Sequence, residues 1–206
     1  MNESTEKQHY LLTKNRIEAL ADGIFAFAMT LLVLNLAIPG DVQGANADLA
    51  NILFSQAHRF FNYALAFVLL GTLWMVHHQQ FHSIEKVDFR LLWINIFILM
   101  FIALMPFSTD LIGDYPGTKV AKIFFCSNLF IIGSLYFCNW MYATKNHRLV
   151  ASDIGDRKIQ QGIRRSLVTP AVSVLAIAIT FLVPSWSLLT YLLVLVISST
   201  KPFRRI

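Results

Sequence analysis

Charge is scarce in this sequence. Only 14% of its 206 residues are Asp, Glu, Lys or Arg, against roughly 25% in a soluble domain. The deficit is uneven, because long apolar runs alternate with short polar ones. Several runs reach the roughly 20 residues that a helix needs to cross a hydrocarbon core, so no soluble α/β or bundle fold needs to be invoked. Cysteine is almost missing. Cys126 and Cys138 share one apolar run and stand about 18 Å apart along a helix, too far to pair within it. Hydrolytic signatures are missing too. There is no His-Glu-x-x-His, no Gly-x-Ser-x-Gly and no Ser/His pair, so an intramembrane enzyme is not expected. The sequence holds no internal repeat, no low-complexity tract and no extramembrane segment large enough to fold alone.

What remains reads as an all-α integral membrane protein with six spans, at about 17–38, 54–76, 91–112, 120–143, 167–183 and 185–199. The first run is too long for a signal-peptide core and no clear cleavage signal follows it, so it reads as a retained span. Span one stops at Pro39-Gly40, and Pro106 sits in the later half of span three. Pro184 separates two segments that are close to the minimum length. A tight helical hairpin fits them, with a single re-entrant segment as the alternative.

Loop charge supports an even count. The net charge is +5. In a membrane protein that excess reports topology rather than nucleic-acid binding. Six spans leave 14 of the 17 Lys and Arg residues on one side, with only Arg59, Lys119 and Lys122 on the other. The stretch from Asp41 to Asn51 holds no Lys or Arg at all. The positive-inside rule then places both termini in the cytoplasm. Asp41, Asp48, Asp110 and Asp114 fall on the external side. They read as solvated loop residues or as a means of concentrating cations.

An ionisable residue within a span is by default a functional candidate. Glu18 and Asp22 lie early in span one. Asp22 sits about 6–9 Å further in than the interface and calls for a buried partner. At about 100° per residue, Phe27, Leu31 and Leu34 share one helix face, Thr30 flanks it, and Asp22 points roughly 140° away from Phe27. From geometry alone that apolar stripe reads as facing lipid or a neighbouring helix. His77, His78 and His82 close span two. The spacing of His78 and His82 suits zinc ligands on a helix, but no good set completes them.

Arg16-x-x-x-Leu20-Ala21-Asp22-Gly23 resembles the Arg-x-x-x-Phe-Ser-Asp signature of the lysosomal potassium channel family called transmembrane protein 175. The run from Ile24 to Leu34 keeps that family's first-helix pattern. Two further blocks are similar: Leu73-Trp74-Met75-Val76-His77-His78-Gln79-Gln80-Phe81, and Asn95 eleven residues before Pro106. The resemblance implies a potassium-permeable leak-type channel, with one six-helix unit (1–206) per chain and a homotetramer whose first helices line a central pore. By position it places an apolar constriction at Phe27 and further pore layers at Thr30, Leu31 and Leu34. It also implies a supporting network of Arg16, Asp22, Gly23, Trp74, His77, His78 and Asn95, in which Trp74 and His77 pack against Asp22. No cofactor is implied. The implied partners are potassium ions, membrane lipid and further copies of the chain.

Two departures stand out. Leu20-Ala21 replaces Phe-Ser, which removes a hydroxyl, and Phe27 stands where Ile or Leu is usual. Four phenyl rings would either close a pore tightly and promote dewetting or swing aside on gating. The competing expectation is a proton-coupled or proton-conducting transporter that uses Asp22 and the span-two histidines. Protonation of a histidine near neutral pH would make such a network pH-sensitive. A bacterial inner membrane is the expected location.

Overall fold

The computed structural model describes residues 3–36 and 49–199. Among these residues there is no strand, only one isolated bridge between Ile84 and Val150. The α-helices are α1 (Glu3–Leu31), α2 (Leu49–Ser55), α3 (Ala57–Ser83), α4 (Phe89–Ala103), α5 (Met105–Asp114), α6 (Lys119–Thr144), α7 (Asp156–Leu182) and α8 (Leu192–Ser199). α1 tightens into a 3-10 turn over Leu32–Leu36. Five stretches are long and apolar enough to cross a membrane: Lys14–Leu36, Ala57–Ser83, Phe89–Asp114, Lys119–His147 and Asp156–Leu182.

The spans differ from the sequence expectation at particular places. α3 continues to Ser83, about two turns past Val76, so the histidine pair lies inside a helix. Span three is two helices. Pro106 lacks the N–H that would continue the ladder, and the helix breaks at Leu104 as proline requires. α7 starts at Asp156 and absorbs much of the expected polar link. The sixth segment is the largest departure. Val183 leaves helical geometry (φ −136°, ψ 84°). Two 3-10 turns, Pro184–Trp186 and Leu188–Tyr191, then precede the short α8. The apolar stretch Pro184–Ser198 is shorter than the other five. Residues 37–38 of the first span, with Asp41 and Asp48, lie outside the described residues.

The core follows from which helix faces carry small or branched residues. Ala21, Phe25 and Ala28 of α1 and Leu32 of the 3-10 turn that follows it are buried in one cluster with Leu65, Leu69 and Leu73 of α3 and Ile98 and Ile102 of α4. α6 and α7 approach through glycines. A Cβ on Gly133 would stand 2.5 Å from Pro170 Cδ, and one on Gly162 would stand 2.3 Å from the Trp140 ring. Small residues permit such contacts between membrane helices. Buried hydroxyls bond back to their own helix, as Ser173 does to the Thr169 carbonyl and Thr180 to that of Ala176. That satisfies them where no water reaches.

The links at the basic end are built, not merely polar. Asp88 caps α4 by accepting from the Leu91 N–H at 2.9 Å. Asn146 and His147 adopt φ of 54° and 53°, a conformation that Asn tolerates better than most residues. The turn they make brings the Leu149 carbonyl to the amides of Glu85 and Lys86. A second apolar cluster of Ile17, Phe81, Ile84, Leu91, Leu149 and Val150 seals this end against α1.

Candidate pore-lining site

α1 is covered on one side only. Within its most apolar window 28% of residues are buried, the lowest share of the five spans. Phe27 is 65% exposed and Leu34 67% exposed. Thr30 is also exposed and Leu31 is half-buried. The stripe grouped by the helical wheel is therefore the one that the other described residues leave largely open. Arg16 and Gly23 are exposed as well, and nothing lies within 4 Å of where a Gly23 Cβ would stand. Thr30 Oγ1 donates to the Phe27 carbonyl at 2.8 Å. The hydroxyl proton is thus used within the helix, and the oxygen lone pairs are what Thr30 can present outward.

Asp22 is exposed within the single chain rather than buried. Its partner is Trp74 of α3, whose Nε1–H donates to Asp22 Oδ1 at 2.8 Å. The His78 ring stacks on Trp74 with centroids 5.7 Å apart. His77 points elsewhere. It hydrogen-bonds Asn95 rather than Asp22, with Nε2 2.9 Å from Asn95 Oδ1. With a carbonyl oxygen accepting, the ring carries its proton on Nε2. Phe81 stacks on the same ring at 4.4 Å, and Tyr136 meets it edge-on at 6.2 Å. The expected single network is therefore two. Asp22, Trp74 and His78 form an outer group, and His77 and Asn95 a buried one. Asn95 Nδ2 has no hydrogen-bond partner among the described residues.

The far end of α1 is pinned by polar contacts. Asn35 Nδ2 donates to the Pro106 carbonyl at 3.1 Å, and Arg59 donates to the Asn35 carbonyl at 3.3 Å. Arg59 also pairs with Asp114 at 2.6 Å. Asp114 is thus partly neutralised and is a weaker cation attractor than its loop position suggested. Among the described residues no group of three or more His, Cys, Asp or Glu side chains stands close enough to hold a metal. Both cysteines are free.

Sequence reasoning missed one buried group. Gln80 of α3 donates to the Tyr136 carbonyl at 3.1 Å and to Ser166 Oγ at 3.0 Å, and it accepts from Asn139 Nδ2 at 2.8 Å. One side chain thereby ties α3 to α6 and α7. The available signal was Asn139, a polar residue inside the fourth apolar run.

These features define an all-helical membrane protein whose first span presents an uncovered stripe. Residues 16–106 match the family model described as endosomal/lysosomal potassium channel TMEM175. A protein named as a potassium channel in Chamaesiphon minutus is 26% identical over 170 residues, covering 81% of this chain and 84% of that one. Another, from Streptomyces collinus, is 36% identical over 139 residues, covering 65% and 66%. The rat protein named as the endosomal/lysosomal proton channel TMEM175 is 28% identical over 192 residues, but this chain spans only 38% of it. The crystal structure of a lysosomal potassium-selective channel TMEM175 homolog from Chamaesiphon minutus superposes with a TM-score of 0.80 at 22% identity. It covers 91% of this chain and 99% of that one, so the two share a fold. The chain belongs to the TMEM175 family, a family of ion channels and not of enzymes.

Proposed function

We propose that this chain is the subunit of a potassium-permeable leak channel, with α1 lining a central pore formed by four copies. The observation that carries this reading is the open stripe on α1. Its bulky apolar members, Phe27 and Leu34, are about two-thirds exposed on a helix that also bears Asp22 and Thr30. A helix facing only lipid has no use for those polar groups. A pore has, because an apolar ring too narrow to hold water gates by dewetting, and nearby oxygens sort the ions that pass. Phe27 is the constriction in this reading, Thr30, Leu31 and Leu34 are further layers, and the Trp74–Asp22 bond fixes the rotation of α1. Residues 1–206 form one channel domain. The short segment after Pro184 completes the sixth crossing, which puts both termini on the basic, cytoplasmic side of a bacterial inner membrane.

A second reading is favoured by the names of the mammalian relatives, which are given as proton channels. In it protons pass by way of Asp22 and the α3 histidines. Flux from proteoliposomes separates the two. A potassium gradient alone should drive potassium uptake, with sodium slower and no obligatory proton movement. Proton flux without potassium flux overturns the leading reading.

A further inference from the structure

A cavity of about 210 Å3 opens between the end of α3 and the start of α7. Its lining includes His78 and His82 on α3 and Lys158 and Arg165 on α7, and no Asp or Glu. Several acceptors in its walls are already engaged. Gln79 Oε1 accepts from Arg165, and Gln80 Oε1 accepts from Asn139. Ser166 Oγ accepts from Gln80 and passes its own hydrogen to the Gly162 carbonyl. A wall rich in donors and poor in acceptors repels a cation and suits an anion. Val76 and Trp140 add carbon to the lining, which a small hydrated anion does not need.

The cavity's depth points the same way. α7 is polar from Asp156 to Ser166 and apolar from Leu167 onward, and α3 ends at Ser83. The cavity therefore lies where the basic links leave the hydrocarbon, the level at which headgroups of the cytoplasmic leaflet sit. Topology alone accounts for basic residues in a link. It does not account for their convergence on one cavity.

We propose that this cavity binds the phosphate of an anionic lipid headgroup, with the lipid's glycerol and first methylenes against Val76 and Trp140. The site touches the pore reading through one residue. His78 lines the cavity and stacks on Trp74, which holds Asp22 of α1. Bound lipid is then linked to the pore helix through two side chains, His78 and Trp74, a consequence that rests on the channel reading, whereas binding itself does not.

The test is titration of the purified full chain in detergent with dioctanoyl phosphatidylglycerol, followed by calorimetry, so that no ion flux enters the readout. Saturable binding is expected, with dioctanoyl phosphatidylcholine and inorganic phosphate each at least tenfold weaker. Lys158→Gln and His82→Gln alter exposed side chains; the first should weaken binding about fivefold, the effect of one Lys or Arg charge at an anionic surface, and the second, which removes a ring N–H donor, should weaken it measurably. Lys145→Gln, at the same end but outside the cavity, should leave binding unchanged, and melting curves confirm that each variant is folded. Equal binding by wild type and both cavity variants overturns the proposal. So does phosphatidylcholine binding as tightly as the anionic lipid, or inorganic phosphate doing so, which would make the ligand a free anion.

Discussion

Trp74 Nε1 donates a 2.8 Å hydrogen bond to Asp22 Oδ1, joining α3 to α1 across 52 residues of sequence. The bond holds an acid of the first span by its edge, and both partners remain accessible in the single chain. In the channel reading it acts on the rotation of α1 more than on the packing of the core. Asp22 needs this fixed donor, because a carboxylate at membrane depth is costly without one.

Trp74→Phe keeps an aromatic ring and removes the donor. Interhelical hydrogen bonds in membranes average about 0.6 kcal/mol, so melting should shift only slightly. Ion flux in proteoliposomes should change at least about twofold, since the first helix loses its rotational stop. Unchanged flux would clear Trp74 of any role at the pore.

Phe27→Ala should raise leak conductance in planar bilayers, because the widest side chain of the open stripe is removed and a wider apolar ring stays wet. The substitution lies on an exposed face, so melting should barely move. Conductance and gating equal to wild type would count heavily against the placement of the constriction.

Thr30→Val preserves shape and removes the oxygen that Thr30 presents outward. The potassium-to-sodium permeability ratio, read from reversal potentials, should fall. An unchanged ratio means that selectivity resides elsewhere.

Gly133→Ala and Gly162→Ala force a methyl group into Pro170 and Trp140. Overpacking of this kind costs about 1–3 kcal/mol, and both variants should melt earlier. Gly23→Ala has open space around it, and Ala is favoured over Gly in a helix by about 1 kcal/mol. It should melt no earlier than wild type. Lost flux in a fully folded Gly23→Ala variant would locate a close neighbour on that face in the assembly.

Gln80→Leu leaves the buried Asn139 amide without its acceptor, at about 1–3 kcal/mol for an unmet group. Adding Asn139→Leu should recover part of that loss, because one orphan disappears with its partner. Thermal unfolding of the two single variants and the double variant closes the cycle. Additive losses would show that the two amides do not act as a unit.

The sequence by itself carried the apolar runs, their basic links and the stripe of Phe27, Leu31 and Leu34, since these depend only on composition and on 100° per residue. The signature around Asp22 was equally legible, because its residues are contiguous. Partner choice was not. Trp74 and His77 are neighbours on α3, yet one faces Asp22 and the other turns inward to Asn95. That difference arises from which partner the packed helices bring to each side chain, Asp22 of α1 for one and Asn95 of α4 for the other, and no local period encodes it. Nor could hydropathy show that Gln80 bridges three helices, or that His82, Lys158 and Arg165 converge on one cavity. These residues lie on different helices and meet only because α3 and α7 pack side by side. The open face of α1 belongs to both levels. Periodicity defined the stripe, and only the packed chain showed that its own helices leave that stripe uncovered.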